Sequence, residues 1–364
     1  PLITKADIDK VNKTLKSGWI SSSGKEIVAF EKNFSKYVNH KFGIAVANGS
    51  AALDIAIKLA NLKKNDEIII PNFTIISNAL PGIKQGLKIK VVDCDMYDWN
   101  LNIEKLKKTI TKKTKAIIAT HIYNYPCRVD IIKRICDQKN ILLIEDCAEA
   151  IGQKIFNKKC GSFGHISVFS FYANKQITTG EGGMITTNSK LFEKKARSLR
   201  NLSFGVKNRF NHTDVAWNYR LTNIQASLGL SQLQRVNTII KKRHRVGKLY
   251  YEKLKSNKNI FMPSPKNKFS KNIYWVIAIL ILNKNLKIDN IKAARKLRKF
   301  GIETRPFFWP MHKQKVLKDY DFYNSDKYKN SDYISKYGFY LPSSLNLTVS
   351  EIGYVCRKVN QIFK

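Results

Sequence analysis

The sequence is poor in cysteine and lacks any metal-binding arrangement of it. Only six cysteines occur among 364 residues, no two of them form a CxxC pair, and no histidine lies at zinc-finger spacing from them. So few cysteines in so long a chain argue against a disulfide framework and against a zinc finger. We therefore expect reduced, partly buried thiols and no metal site.

Long apolar runs are also absent. The run from Trp275 to Leu282 is too short to cross a bilayer and is typical of a buried strand. The stretch from Pro1 to Lys13 has no apolar core and resembles a capped helix start, not a signal peptide. These features lead us to expect a cytoplasmic protein without membrane contact.

Acidic residues are scarce, since 27 Asp and Glu stand against 65 Lys and Arg, which gives a net charge of +38. A nucleic-acid partner is one interpretation of this charge, and compositional drift is the other. The basic residues are spread along the chain, in pairs such as Lys63-Lys64 and Lys241-Lys242, and are not gathered in one arm. Dispersed charge is typical of solvated surfaces, so drift is favoured and nucleic acid stays a remote alternative.

Short β-rich runs alternate with helical patterns through the first half of the chain. The β-rich runs are Gly43–Ala47, Glu67–Pro71, Ile89–Asp93, Lys115–His121, Ile141–Glu145, Ile166–Ser170 and Gly183–Thr187. The helical stretches between them include Ala51–Ala60, Ser77–Lys84 and Asp130–Lys139. This alternation predicts an α/β fold with a doubly wound, mostly parallel sheet, in which ligands bind beyond the carboxyl ends of the strands.

The C-terminal third predicts a smaller α/β domain. A long helical pattern from Thr222 to about Leu254 leaves the first domain, and a strand at Ile273–Leu282 follows. Helices are predicted at Ile291–Phe300 and from Val349 to the end. We place the large domain at residues 1–240 and the small domain at 241–364, and consider packing of the N-terminal helix on the small domain.

Two short segments at predicted strand ends could bind a cofactor. Asn48-Gly49-Ser50-Ala51-Ala52 lies between a strand and a helix, where free N–H groups and the helix dipole suit a phosphate, although an ordinary turn has the same composition. Asp146 follows an apolar strand and could pair with a protonated ring nitrogen. A metal ligand, a helix cap or a surface acid are the alternatives for this carboxylate.

Lys175 lies between a strand that ends at Ser170 and a glycine-rich turn at residues 180–183. A lysine that forms a Schiff base must be desolvated so that its amine can be neutral, and Phe171, Tyr172 and Ile177 could shield it. Glycines would allow close approach of the backbone to a cofactor. A surface hairpin with a glycine-rich turn explains the same pattern equally well.

Taken in order, the motifs resemble those of the DegT/StrS family of sugar aminotransferases, which are fold type I enzymes that use pyridoxal phosphate. The matching segments run over nearly the whole chain and are Ser17–Ser22, Asn48–Leu53, Glu145–Ala150, Ser170–Met184, Asn218–Ala226 and Gly301–His312. The last two segments look most like the branch of the family that aminates C4 of a 4-keto-6-deoxymannose nucleotide.

The resemblance implies roles for the residues around the cofactor. Lys175 would bond covalently to pyridoxal phosphate and later carry protons to and from the substrate carbon. Asp146 would bind the pyridine nitrogen, Ala148 would pack on one ring face and Glu149 would lie near the ring hydroxyl. The phosphate would be held by Gly49, Ser50, the Ala51 N–H and Ser170.

The resemblance also implies partners. Asn218 would reach the phosphate of the neighbouring subunit's cofactor, which implies a homodimer with shared active sites. Arg305, Phe308 and His312 would face the sugar nucleotide. The expected reaction moves an amino group from L-glutamate to C4 of a nucleotide-linked 4-keto-6-deoxy sugar. The alternative is a UDP- or dTDP-linked keto sugar aminated at C4 or C3.

The chain departs from the family pattern at two places. Ile75 stands where many relatives have an aromatic residue that stacks on the cofactor ring. The segment Tyr123-Asn124-Tyr125-Pro126-Cys127 lacks the Gly-His pair common before this proline. One branch of the family replaces the lysine by histidine and dehydrates sugars, and Lys175 argues against that chemistry.

Overall fold

The computed structural model describes residues 1–364 and contains thirteen strands. They are β1 (Phe42–Val46), β2 (Glu67–Pro71), β3 (Lys88–Val92), β4 (Thr114–Thr120), β5 (Leu142–Asp146), β6 (Lys154–Ile155), β7 (Lys158–Lys159), β8 (Ile166–Ser170), β9 (Gly183–Thr187), β10 (Ile260–Phe261), β11 (Ile277–Ile281), β12 (Arg305–Pro306) and β13 (Gly338–Leu341). Seven of them form the main sheet, in the order β1-β9-β8-β5-β4-β2-β3.

Twelve α-helices surround and connect the strands. They are α1 (Lys5–Lys16), α2 (Lys25–Tyr37), α3 (Gly49–Leu59), α4 (Leu80–Lys84), α5 (Ile103–Thr109), α6 (Val129–Lys139), α7 (Lys190–Arg200), α8 (Asn223–Gln234), α9 (Val236–Leu254), α10 (Asn290–Arg298), α11 (Lys329–Tyr337) and α12 (Val349–Ile362). None of the helices is both long enough and apolar enough to span a membrane.

The main sheet is mostly parallel, as predicted. Strand β9 pairs antiparallel with both β1 and β8, and all other pairings in the sheet are parallel. Three predicted strands, β2, β8 and β9, have the expected bounds, and the other four are shifted by one residue. Apolar residues that follow one another along a strand set this arrangement, because a parallel sheet is buried on both faces.

Two cores lie on opposite faces of the sheet. Ile69 and Ile117 pack on one face with residues of α2, α6 and α8. Ile68, Ile70 and Ile118 pack on the other face with residues of α3 and α7. Since neighbouring residues of one strand point to opposite faces, the uninterrupted isoleucine runs fill both cores at once. The doubly wound architecture follows from this pattern.

A second, antiparallel sheet of four strands forms in the C-terminal third, in the order β10-β11-β13-β12. Residues of α9, α10 and α12 share its core. The predicted ten-residue strand from Ile273 is shorter in the structure, because only Ile277–Ile281 pairs with neighbouring strands. The residues before it adopt an irregular path that leads to the candidate site described below.

The N-terminal helix packs on a helix of the large domain, whereas we had considered packing on the small domain. Helix α1 packs on α8, within the residues assigned to the large domain. Asp7 of α1 pairs with Arg235 and accepts a hydrogen bond from Ser231. The predicted helix from Thr222 to Leu254 is broken at Arg235, whose guanidinium also donates to Leu2 O. Helix α9 runs on across residue 240, so the expected domain boundary falls inside a helix.

Candidate active site

The largest concentration of predicted site residues surrounds one cavity of about 490 Å³ at the carboxyl edge of the main sheet. Strands β8, β5 and β4 are parallel neighbours, so their last residues lie side by side. Those last residues, Ser170, Asp146 and Thr120, all line the cavity. The site therefore occurs where parallel α/β sheets bind ligands.

The N-terminus of α3 forms one end of this cavity. Gly49 and Ser50 line it, and their N–H groups precede the first intrahelical hydrogen bonds. The Ser50 hydroxyl lies 2.9 Å from that of Ser77, a cavity residue that the sequence analysis did not single out. A Cβ on Gly49 would lie 3.0 Å from the Ser170 Cβ, so a glycine keeps this end of the cavity open.

Ala51 differs from its expected role at the phosphate. Its N–H donates to the Asn48 side chain at 2.8 Å, which caps the helix, and Ala51 itself is buried and does not line the cavity. An N-cap side chain satisfies one of the free N–H groups of the first helical turn. The donors that remain for an anion are the N–H groups of Gly49 and Ser50 and the neighbouring hydroxyls.

Lys175 lines the cavity, with its amine 3.8 Å from the centroid of the Trp275 ring. Its segment is held by hydrogen bonds from the Lys175 N–H to Tyr172 O and from the Phe171 N–H to Gly182 O. Burial lowers the pKa of Lys175, while the charges of two nearby carboxylates oppose this shift. The amine is thus closer to its neutral, nucleophilic form than a surface lysine.

Asp146 lies in the same cavity and is almost fully buried. One of its carboxylate oxygens accepts the Ala148 N–H at 3.0 Å. Burial raises the pKa of this carboxyl group, and the positive charge of Lys175 counteracts the rise. The two residues on which the sequence prediction depends are therefore brought together in one pocket.

Glu149 is the third titratable group beside Lys175. Burial raises its pKa to about 7, although the positive charge of Lys175 acts to lower it. The carboxylate accepts the Tyr123 N–H at 2.8 Å, and Tyr123 adopts the left-handed conformation with φ of 56°. Strained backbone of this kind persists where the surrounding structure fixes it, often at functional sites.

An aromatic wall closes the side of the cavity that lies toward the C-terminal sheet. Trp275, Phe308 and Tyr340 line the cavity. Tyr123 lies behind them and stacks on Trp275 and Phe308, with centroids 5.9 and 5.0 Å away. The Phe308 N–H donates to the Tyr123 hydroxyl at 3.0 Å. Of these four residues only Phe308 was predicted as a site residue, because Trp275 and Tyr340 occur in runs typical of a core.

Ile75 lines the cavity, and 43% of the residue is exposed. It leads into a short 3-10 turn, Ile76–Asn78, where the sequence predicted the start of a longer helix. Ala148 and Glu149 line the cavity as well. An aliphatic side chain therefore stands on the cavity surface at the position where the family pattern has an aromatic ring.

Besides Ala51, three predicted site residues do not line the cavity. His312 is fully buried: its Nδ1 lies 2.9 Å from the Asn72 side-chain amide and its Nε2 lies 3.2 Å from the Asp332 carboxylate, so this side chain holds the fold and does not face the cavity as expected. Arg305 is exposed on β12, paired in register with Tyr340 of the wall. Asn218 is exposed and lies outside the cavity, where its backbone pairs with that of Asn201 in an isolated β-bridge.

A cluster of His121, Glu145 and Cys147 has the side-chain types of a metal site. The Glu145 oxygens, however, accept the N–H groups of Gly161 and Gly164 at 2.6 and 2.8 Å and bond to His121 at 3.1 Å. Further donors reach them from Phe163 N–H and the Ser167 hydroxyl. With its lone pairs used in this way, Glu145 anchors the loop after β7 and offers no ligand to an ion.

Comparison with known families places the chain within one of them. It matches the DegT/DnrJ/EryC1/StrS aminotransferase family over residues 1–360. GDP-perosamine synthase of Vibrio cholerae is 34% identical over 357 residues, which cover 97% of this chain and 95% of that protein. GDP-perosamine synthase of Caulobacter vibrioides is 36% identical over 362 residues, covering 100% of this chain and 96% of that protein.

The fold agrees with this assignment. The solved structure of Helicobacter pylori PseC, an aminotransferase involved in the biosynthesis of pseudoaminic acid, superimposes with a TM-score of 0.93. The superposition covers 100% of this chain and 97% of that chain, at 25% sequence identity. A fold type I transferase was the sequence prediction, and it is confirmed.

The cavity residues fit pyridoxal phosphate, the cofactor of these aminotransferases. The open helix end at Gly49 suits the phosphate, Asp146 suits the ring nitrogen, and Lys175 lines the same cavity with a lowered pKa. Ala148, beside them, leaves room for a flat ring. The chain therefore belongs to the DegT/DnrJ/EryC1/StrS aminotransferase family and is a pyridoxal-phosphate-dependent aminotransferase.

Proposed function

We propose that this aminotransferase moves an amino group from L-glutamate to C4 of a GDP-linked 4-keto-6-deoxy sugar. The observation that carries the choice of substrate is the identity, 33–36% over at least 97% of this chain, to three relatives that are GDP-perosamine synthases. The shared cavity of Lys175 and Asp146 supports the chemistry. The bound cofactor would act as an electron sink for the carbon that loses or gains a proton.

Lys175 is proposed to move that proton. In its neutral form the amine can remove a proton from the donor substrate, and in its ammonium form it can deliver a proton to C4 of the sugar. Burial favours this neutral form, and Glu149 and Asp146 would stabilise the ammonium once the proton is taken up. Asp146 would hold the cofactor ring through its nitrogen, and Gly49 and Ser50 would hold the phosphate.

The aromatic wall is proposed to bind the sugar. Trp275, Phe308 and Tyr340 offer flat apolar faces, which suit the ring and the C6 methyl group of a deoxy sugar. Arg305 has no acidic partner, and its charge acts on Tyr340 at the edge of the wall. This guanidinium would bind the diphosphate of the GDP-linked sugar. We do not assign the sugar a contact with His312, because its side chain is buried elsewhere.

We also propose a homodimer in which Asn218 reaches the phosphate site of the partner. Asn218 is exposed and lies outside the cavity of its own chain. The loop before it carries three strongly exposed apolar side chains, Val206, Phe210 and Val215. Exposed apolar residues grouped on one loop are typical of a surface that another chain covers.

The substrate assignment is tested by product formation. Purified enzyme would receive L-glutamate and, in separate reactions, GDP-, UDP- and dTDP-linked 4-keto-6-deoxy sugars, together with 3-keto analogues. We expect a GDP-linked 4-amino sugar, identified by mass spectrometry and by the position of the amine in NMR spectra. Amination of only a UDP- or dTDP-linked sugar, or amination at C3, would replace this proposal with the alternative. Lys175→Ala is the control and should give no product.

A further inference from the structure

Arg243 of α9 is a buried cation that the proposed reaction leaves unexplained. It is only 6% exposed, and burial lowers its pKa to about 10 with no charged partner to oppose the shift. A buried charge without a carboxylate partner disfavours folding compared with an apolar side chain of the same size. Its position in the fold therefore calls for a role beyond packing.

The guanidinium donates only to backbone carbonyl groups. One nitrogen lies 2.9 Å from Trp275 O and 3.5 Å from Tyr274 O, and the other lies 3.4 Å from Asn174 O. The Trp275 indole N–H donates to the same Asn174 carbonyl at 3.1 Å. Asn174 directly precedes Lys175, so Arg243 and Trp275 hold the backbone next to the reactive amine from two directions.

The backbone at Tyr274, whose carbonyl lies beside Arg243, is conformationally restricted. Tyr274 has a φ of 50°, in the left-handed region that bulky residues rarely adopt. Gly247, one turn further along α9, lets the helix approach the Tyr274 ring so closely that a Cβ would lie 2.2 Å from it. This arrangement orients the next residue, Trp275, so that its ring faces the Lys175 amine.

We infer that Arg243 is a positioning residue for Lys175. Arg243 binds the carbonyl groups of Asn174 and Trp275. It thereby fixes the segment that carries Lys175, between β8 and β9 of the main sheet, against Trp275, which precedes β11 of the second sheet. Its positive charge also acts on the amine and favours the neutral form. This inference rests on the proposed role of Lys175 and names a residue that supports it without touching cofactor or sugar.

Other charged and titratable groups face the same amine. Glu149 and Asp146 favour the ammonium form, opposite to Arg243. The remaining titratable groups that line the cavity are Tyr172, Glu181 and Tyr340. Because the chain retains all of these groups when Arg243 is replaced, a change in the titration of Lys175 would report the loss of the guanidinium.

The charge effect is tested by the reactivity of the amine. Enzyme loaded with pyridoxamine phosphate, which cannot bond to Lys175, is treated with an amine-reactive label over a range of pH. Labelling of Lys175 is followed by peptide mass spectrometry. In Arg243→Met the titration should move to higher pH, and labelling at neutral pH should fall several-fold, because less of the amine is neutral. Arg245→Met is the matched control, since Arg245 is exposed on the same helix.

The positioning effect is tested by hydrogen exchange of the holoenzyme in the peptide spanning residues 171–178. Arg243→Lys retains a charge but cannot span the separate carbonyl groups, so exchange of this peptide should rise while the labelling titration stays near that of the wild type. If Arg243→Met does not fold, the exchange result of Arg243→Lys alone tests the inference. Unchanged exchange in Arg243→Lys, or an unchanged titration in a folded Arg243→Met, overturns the inference.

Neither readout requires a sugar substrate. A failure of the substrate proposal would therefore leave these results intact, and a failure here would leave the assignment of the keto sugar untouched. A residue that merely stabilises the fold would lower the unfolding temperature in both variants without shifting the titration of Lys175.

Discussion

Lys175, Glu149 and Asp146 line one cavity, and the charge of the lysine and the charges of the two acids act on one another. Burial acts against charge on all three, while attraction between the lysine and the acids acts in favour of it. The balance leaves Glu149 with a pKa of about 7, near the pH at which an aminotransferase works. This carboxyl group therefore changes its charge near neutral pH.

Glu149→Gln should remove a pH-dependent loss of stability. The folded-state pKa of Glu149 lies above its usual 4.5, so its contribution to stability is full below pH 4.5 and disappears as pH rises through about 7. Glutamine does not titrate. We expect the unfolding temperature of the variant, relative to wild type, to increase between pH 5 and pH 8 in cofactor-free protein. A difference that is constant across this range would contradict the assigned pKa.

Most of the residues predicted for the cofactor line the cavity, whereas of those predicted for the sugar only Phe308 does. Gly49, Asp146 and Lys175 belong to short contiguous motifs at strand ends, which the order of strands brings together. Trp275 and Tyr340 come from distant parts of the chain and have the local pattern of core residues. Their place at the cavity depends on how the second sheet packs, which no local pattern encodes.

His312 shows the opposite error. Its motif resembled a substrate-binding segment, but the ring is hydrogen-bonded to Asn72, lies beside the Asp332 carboxylate and packs on Tyr328. A buried histidine held by polar neighbours is most often structural, and only tertiary contacts identify those neighbours. The neighbouring Phe308 in the same motif does line the cavity, so one short segment supplies both a wall residue and a structural one.

At the scale of elements, strands were easier to predict than helix boundaries. The bounds of a strand such as Glu67–Pro71 can be predicted locally, because its apolar run has nearly the same ends as the strand. The break between α8 and α9 has no such local mark. It occurs at Arg235, whose side chain is bound to Asp7 and Leu2 O near the N-terminus, so a contact distant in sequence sets it.

Helix α9 connects the two sheets, and Gly247 is the point at which it depends most on close packing. An alanine there would force a methyl group into the Tyr274 ring, 2.2 Å from the nearest ring atom, and would push Trp275 away from Lys175. Gly247→Ala should destabilise the fold by about 1–3 kcal/mol, as overpacking does, and should lower kcat. Urea unfolding and steady-state kinetics measure the two effects.

Gly353 of α12 provides the matched control. A Cβ there would meet only the end of the Arg357 side chain, at 3.5 Å. Replacing a helical glycine with alanine in open space stabilises a helix by roughly 0.5–1 kcal/mol. Gly353→Ala should therefore be neutral or stabilising with normal kinetics. Equal behaviour of the two variants would show that the approach of α9 to Tyr274 is not tight.

At the scale of the whole molecule, the net charge of +38 is carried by basic residues that outnumber the available acids. Many of the acids are already paired with lysine or arginine, as the buried Glu31 is with Arg197 and Arg200 at 2.7 and 2.6 Å. The excess cations therefore remain in solvent and give the molecule a positive field. Such a field attracts a nucleotide diphosphate and weakens as salt is added.

The shared active site proposed for the dimer makes a prediction that no single-chain enzyme would meet. In a heterodimer of Lys175→Ala and Asn218→Ala chains, the site that retains Lys175 faces the partner that retains Asn218, so one intact site forms. Heterodimers isolated through two different affinity tags should then show about half the wild-type activity, because one site of two is complete. Each homodimer should be strongly impaired. If Asn218 acted within its own chain, both sites of the heterodimer would lack a residue, and its activity would be no higher than that of the Asn218→Ala homodimer.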